Sequence, residues 1–430
     1  MVSLGLACNR AEAAESFVPL GTFDFEKLVA SVQSAPDLRS AQREETERDF
    51  ARQQARVLPN PTVDFTWGTI PIGRTNPGHL GSRWSNVPNY RFGVAYTFPI
   101  GKRGPIQMSR DADYESAKAH RCAVGRELAL ELASVLGAMA AVELRMAALG
   151  QLVDAASEQE RTVAAREKMQ LASGLEVDRA SIERGRLHQQ LQAAQSDLAE
   201  QKAACAIMVG RPCQSFPNEV ESRQFLESWS APDPRTRAAS MRLEQRPDLL
   251  ALADAERAAL HQQTYYRRQA IPDPTVRLGY IRDQFEVSGA QPSSLELSVS
   301  MPVPLFDHGQ VGARAAGLTA EGYAAERRAR TQVTEAVLPA LIDRWSAQQH
   351  RRQQLLDELI PKAKSALHSV ERAYETRLLS ISDVIQARRT LLDLLLDEVD
   401  GLADAYSASL SVRSHLADRN MEGCINFSHE

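Results

Sequence analysis

Asn60-Pro61-Thr62-Val63-Asp64-Phe65-Thr66-Trp67 has a counterpart in Asp273-Pro274-Thr275-Val276-Arg277-Leu278-Gly279-Tyr280, 213 residues further along. In each, a proline that cannot continue a helix gives way to apolar residues at every second position. These are Val63, Phe65 and Trp67 in the first stretch, and Val276, Leu278 and Tyr280 in the second. Strict alternation of this kind signals a strand with one apolar face. A second alternating run follows each one: Phe92, Val94, Tyr96 and Phe98, then Leu295, Leu297, Val299 and Met301. Other landmarks are doubled in the same order. Pro36-Asp37-Leu38 returns at Pro247, Pro99 at Pro302, and Leu171 through Ala180 at Leu378 through Ala387, with offsets of 211, 203 and 207 residues. A period this long is not a solenoid of small repeats. It is one large unit used twice.

Each copy supplies two strands of about 8–10 residues, a length suited to a tilted membrane strand. Aromatic residues gather there (Trp67, Tyr90, Phe92, Tyr96, Phe98, Tyr280), as an interfacial girdle requires. A soluble antiparallel sheet with one buried face would show the same alternation. Between the first two strands, Gly68 to Asn89 is rich in Gly, Pro and Asn and reads as a long exposed loop.

No proline occurs between Pro105 and Pro212, and even part of that run is a helix of roughly 100 Å at 1.5 Å per residue. Leu128, Leu132, Val135, Met139, Val142, Met146, Leu149 and Val153 step by four and three, a heptad seam that faces a partner helix. The second copy has a seam in Ile381, Ile385, Leu392, Leu395, Val399, Leu402 and Tyr406, interrupted by Arg388. Pro339 and Pro361 are expected to kink or break its outgoing helix. The reading divides the chain into an N-terminal segment (1–24), a first repeat (25–212), a linker (213–239), a second repeat (240–416) and a C-terminal tail (417–430). Four strands cannot close a barrel, since single-chain barrels start at about eight, and lipid does not tolerate open sheet edges. Three chains of four strands would make twelve. The expected fold is therefore a mostly α, mixed α and β membrane protein, with long coiled-coil hairpins and four strands per chain.

The chain has 430 residues, 43% hydrophobic and 24% charged, with a net charge of -5. That composition excludes disorder and argues against a nucleic-acid partner, which calls for a basic excess. No stretch reads as the roughly 18 uncharged apolar residues of a membrane helix; the nearest, Leu132 to Val142, is short and flanked by Glu131 and Glu143. Cys205 and Cys213 read equally well as a disulfide or as free thiols. Met1 to Cys8 looks like the stub of an export signal with a weak lipid-attachment box at Cys8. Phosphate loops, dinucleotide turns, zinc-protease and nucleophile-elbow motifs are missing. Nine scattered histidines lack metal-ligand spacing, and Asp307-His308 reads as a solvated turn. No enzyme, cofactor or metal site is expected.

From about Phe25 to Leu416, the order of elements resembles the TolC-like outer-membrane efflux family. The residues that carry the resemblance are Asn60-Pro61-Thr62 and Asp273-Pro274-Thr275, the exits Phe98-Pro99 and Met301-Pro302-Val303-Pro304-Leu305-Phe306-Asp307, and the paired helix-turn-helix tips. It is most similar to the outer-membrane members of heavy-metal efflux systems. The resemblance implies a homotrimeric conduit: a twelve-stranded barrel in outer-membrane lipid, and a helical periplasmic tunnel meeting an adaptor protein and a proton-driven inner-membrane pump. Asp383 falls on the family's gate aspartate and Tyr374 on its tip tyrosine. Glu176 takes the acidic place in the first tip, and Arg377 stands where glycine is common. Leu171, Ser173, Gly174, Leu378, Leu379 and Ser380 are the implied adaptor-docking positions. Threefold symmetry would gather Asp383 into a ring, which selects cations; a carboxylate at a helix start is equally suited to capping. The other readings are the duct of a type I protein secretion system and a non-membrane coiled-coil structural protein.

Overall fold

The computed structural model describes residues 16–19, 25–68, 89–230, 243–283 and 293–416. Cys8 and the start of the chain, the interior of the Gly68–Asn89 loop, residues 231–239 of the linker and the tail from 417 lie outside them. In chain order the elements are α1 (Phe25–Ser31), α2 (Pro36–Arg56), β1 (Thr62–Gly68), β2 (Asn89–Thr97), α3 (Arg103–Lys168), α4 (Gly174–Val209) and α5 (Glu219–Ser230). The second half supplies α6 (Pro247–Arg267), β3 (Thr275–Asp283), β4 (Ser293–Ser300), α7 (Gln310–Gln354), α8 (Ile360–Glu375) and α9 (Ile381–His415). The chain packs into two compact units, each drawn from both halves of the sequence. Of the described residues, one unit takes those of 44–118 and 251–328; the other takes those up to Arg43, of 119–250 and from Ala329 to Leu416.

The first of these units holds the sheet. Its order is β1-β2-β3-β4, antiparallel throughout. The strands begin after Pro61 and Pro274 because neither proline can donate into a preceding helix. The ladder joins the two sequence copies through β2 and β3, where Phe92 faces Tyr280 and Val94 faces Leu278.

The second unit is helical, and the seam read from the sequence is its core. Leu132, Met139 and Leu149 are buried, while Leu128, Val135, Val142, Met146 and Val153 pack against them. Leu392, Val399, Leu402 and Tyr406 of α9 close the same clusters. One 18-residue window of α3, of mean hydropathy 1.6, is apolar enough to cross a membrane, contrary to the sequence reading. Its apolar side chains are engaged in this core, including Leu132, Leu136, Met139 and Ala140, so composition alone does not make it a span. Tyr406 donates to the Ala133 carbonyl at 2.6 Å, and its ring lies over Gly137. A β-carbon at 137 would come within 2.2 Å of the ring.

The segment 213–239 contains α5, which buries Phe225 and Leu226 completely. A buried ion network fastens it. Arg223 donates to both Glu398 oxygens at 2.8 and 3.0 Å, and Arg352 reaches Glu398 at 3.3 Å and Glu227 at 2.5 Å. Burial pushes the Glu398 carboxyl up more than any one contact pulls it down, but the hydrogen bonds and charges of Arg223 and Arg352 together hold the group below its ordinary value. Cys205 and Cys213 form a disulfide, with Cα atoms 6.0 Å apart; it lies beside the bridge that Cys213 makes with Phe17.

The two prolines of the second copy behave differently. Pro339 lies inside α7 without breaking it, since losing one backbone bond in a 45-residue helix is tolerable. Pro361 changes the winding instead. A π-turn, Leu355–Leu359, stands between α7 and α8; Gln354, Leu359 and Ile360 keep right-handed helical backbone and the Ile360 N–H bonds the Leu355 carbonyl, so the chain stays helical up to Pro361 in the first turn of α8.

Replacing Gly137 with alanine forces Tyr406 from its place. Overpacking of this kind costs about 1–3 kcal/mol, which thermal unfolding of the purified protein will show as a lowered midpoint. Gly322, with open space around its Cα, will gain stability from the same change.

Candidate functional site

Two helical turns carry the predicted tip residues, and they are built alike. α3 ends through Met169, Gln170 and Leu171, and α8 through Thr376, Arg377 and Leu378. Gln170 and Arg377 are the described non-glycine residues with positive φ, at 58° and 60°. Gln170 N–H bonds the Glu167 carbonyl at 2.8 Å and Leu171 N–H that of Arg166 at 2.8 Å. Arg377 N–H bonds Tyr374 at 3.0 Å and Leu378 N–H bonds Ala373 at 2.8 Å. This double bond to the last carbonyls is a Schellman turn, whose left-handed position favours glycine. Arg377 occupies it at a conformational cost.

The next helix starts the same way in both turns. Ser173 and Glu176 form a capping box at α4: the Glu176 carboxylate accepts the Ser173 N–H at 2.8 Å, and the Ser173 hydroxyl accepts the Glu176 N–H at 3.3 Å. Ser380 and Asp383 form its equivalent at α9. Asp383 accepts the Ser380 hydroxyl at 2.7 Å and the Ser380 N–H at 2.8 Å. The hydroxyl bond, then the N–H bond, hold the Asp383 carboxyl below its ordinary value. Both carboxylates therefore cap helix starts. Gly174 opens α4, close enough to the Glu167 carboxylate that a β-carbon would lie 3.3 Å from it.

Arginines tie the two turns together. The Arg166 guanidinium stacks 5.0 Å from the centre of the Tyr374 ring, and Arg179 donates to the Ser382 hydroxyl at 2.6 Å. Arg389 donates to both oxygens of buried Glu183. Arg388, the residue that interrupts the α9 seam, reaches Glu371 at 2.7 Å, the Ala155 carbonyl at 3.1 Å and Gln159. Sequence reading found the carboxylates but not these partners. Leu171, Leu378 and Leu379 are exposed at the turns.

The second site is the sheet. Register places Val63, Val94, Leu278 and Leu297 in one cross-strand row, and Phe65, Phe92, Tyr280 and Leu295 in the next. Tyr96, Val276 and Val299 make a third, and Trp67 packs against Tyr90. The predicted strand residues that lie within β1–β4 share this face, and all eight residues of the two four-residue rows are exposed: Val63, Phe65, Phe92, Val94, Leu278, Tyr280, Leu295 and Leu297. Phe98 falls one residue past the end of β2, where its N–H still bonds the Pro274 carbonyl at 2.9 Å. The opposite face is polar. There Arg277 lies across Gly93, clamped to Asp64 of β1 and to Glu296 of β4, the latter at 2.7 Å. A β-carbon on Gly93 would sit 2.8 Å from the guanidinium. Charges at alternating strand positions were visible in the sequence; which of them meet depends on strand order and register.

An apolar outer face backed by a polar one is what a membrane barrel strand needs. Among solved structures, the chain aligns over 91% of its length with 95% of the outer membrane protein VceC of Vibrio cholerae, at TM-score 0.67 and 16% identity. It aligns over 95% with 95% of CusC, known for transmembrane channel formation, at 0.66 and 15%. The chain has the TolC-like outer-membrane channel fold. The MtrE outer membrane channel of Neisseria gonorrhoeae shares it at TM-score 0.64 and 15% identity, over 90% of this chain and 88% of that one. No protein-family model matches the chain. A curated protein, the cobalt-zinc-cadmium resistance protein CzcC of Cupriavidus metallidurans, is 25% identical over 96% of this chain and 95% of its own length.

Arg377→Gly relieves the left-handed strain and will stabilise the second turn by about 1 kcal/mol, read by thermal unfolding. Because the folded Asp383 carboxyl titrates below its unfolded value, the stability its cap confers is fully present above about pH 4. It is lost as the pH falls through the lower folded value. Ser380→Ala, which removes the hydroxyl bond, will move that loss to higher pH; amide exchange of the Ser380–Asp383 segment against pH follows it.

Proposed function

We propose that the chain is the outer-membrane channel of a tripartite efflux system, passing metal cations to the exterior without chemistry of its own. The observation that carries the reading is the sheet, with three apolar rows outward and the Arg277 network inward. β1 and β4 each have a hydrogen-bonded neighbour on one side. A bilayer does not tolerate such edges, so three chains pair β1 to β4 around a twelve-stranded barrel. Each sequence repeat, 25–212 and 240–416, contributes one strand pair and one helical hairpin to the trimer. The hairpins form the tunnel in the periplasm, where an oxidising environment suits the Cys205–Cys213 disulfide.

The turns are the periplasmic end in this reading. Exposed Leu171, Leu378 and Leu379, with Ser173, Gly174 and Ser380 beside them, offer a periplasmic adaptor protein a small apolar surface. Asp383 points a capping carboxylate, charged at neutral pH, toward the threefold axis, where three copies favour cations over anions. Tyr374 and Arg377 flank it, with Glu176 in the first turn. Energy comes from an inner-membrane pump driven by protons. The metal-resistance relative favours cation efflux over protein secretion.

Cell fractionation will place the full chain in the outer membrane as a trimer that survives detergent; a soluble monomer would refute the channel. Deleting its gene will sensitise the host to cobalt, zinc or cadmium, and plasmid expression will restore growth. Asp383→Asn keeps an oxygen that accepts the Ser380 N–H but removes the charge. In planar bilayers it will weaken block by divalent cations, and unchanged block would leave Asp383 a cap alone.

A further inference from the structure

The apolar alternation outlasts the ladder. β2 ends at Thr97 and β4 at Ser300, yet the same parity continues at Phe98 and Ile100 on one exit, and at Met301, Val303 and Leu305 on the other. Phe306 closes the second run. All six are exposed, Leu305 by 73% and Phe306 by 91%. Their number is unequal because β4 is joined to α7 by nine residues, 301–309, and β2 to α3 by five, 98–102.

Prolines and local hydrogen bonds reduce the free N–H groups of these exits. Pro99, Pro302 and Pro304 carry no N–H. Phe98 N–H bonds the Pro274 carbonyl, and Leu305 N–H the Val303 carbonyl, each at 2.9 Å. Ile100 N–H bonds the Asp273 carboxylate at 2.9 Å, which Lys102 also reaches at 2.7 Å. Unsatisfied N–H groups are costly in hydrocarbon; the three prolines remove as many, and those of Phe98, Ile100 and Leu305 are bonded without any partner strand. Apart from the Asp273 carboxylate at Ile100, charge is confined to the ends of the exits. From Tyr96 to Gly101 and from Leu297 to Phe306 there is none; then come Lys102-Arg103 and Asp307-His308. Asp307 turns the chain by accepting the Gly309 N–H at 2.9 Å.

From this continuity we infer that the exits form a lipid-facing collar. Phospholipid of the periplasmic leaflet covers Phe98, Ile100, Met301, Val303, Leu305 and Phe306, and the membrane boundary lies at Lys102 and Asp307 rather than at the last paired residues. The inference rests on the outer-membrane channel reading.

Tryptophan quenching tests both separately. Full-length Leu297→Trp, Val303→Trp and Phe306→Trp are reconstituted in phosphatidylcholine vesicles, with and without brominated acyl chains, and the parent's emission is subtracted. Leu297 reports the sheet face; the other two report the collar. The expected result is that all three lose most of their added emission to brominated lipid and are spared by aqueous iodide. If only Leu297→Trp responds to lipid, and the collar tryptophans respond to iodide or to neither quencher, the collar faces water or a second copy. The proposal is then overturned while the channel stands. If Leu297→Trp also ignores brominated lipid, the membrane reading falls and the collar with it.

Discussion

A bilayer supplies no hydrogen bonds, and that single constraint organises the chain. Four strands can satisfy one another internally, but β1 and β4 remain outermost. Their outer backbone groups need partners from outside the chain if the sheet is to lie in lipid. The apolar rows make lipid the favourable neighbour for one face. On the other, Arg277 would be a liability alone, and it is answered by carboxylates from β1 and β4. Gly93 belongs to this arrangement: only a residue without a side chain lets the guanidinium lie flat across β2.

The helical unit answers a different problem. Long helices have too little apolar surface each to be stable alone, so they are held by a shared seam. Its stripe on α3 meets α9 in one cluster, and Gly137 lets Tyr406 close the approach. Where the seam is interrupted, at Arg388, the charge is turned to Glu371, Gln159 and a backbone carbonyl. The seam and the arginine ties are complementary. Burial holds the helices together, and directional bonds fix which residues of the two turns stand side by side.

Much of this was legible because period is a local property. Alternation at Val63, Phe65 and Trp67 and steps of three and four from Leu128 to Val153 need only neighbours in sequence. The turns were legible too: Ser173 with Glu176 and Ser380 with Asp383 are spaced as capping boxes. What escaped were pairings across distance. Arg277 finds Asp64 only once β2 lies between their strands, and Arg166 finds Tyr374 only once two hairpins adjoin. α5 was read as linker because its flanks are polar and broken by proline, yet Phe225 and Leu226 are wholly buried. Pro339 overstated itself, since a proline costs one backbone bond and the rest of α7 carries on.

The Cys205–Cys213 bridge has a consequence for biogenesis. It closes the end of α4 onto the segment, eight residues on, whose backbone bridge meets Phe17. Cytosolic thiols stay reduced, so this joint cannot be sealed where the chain is made. For an outer-membrane channel, as proposed, export would precede the covalent step, and the chain would cross the inner membrane with the end of α4 still unfastened.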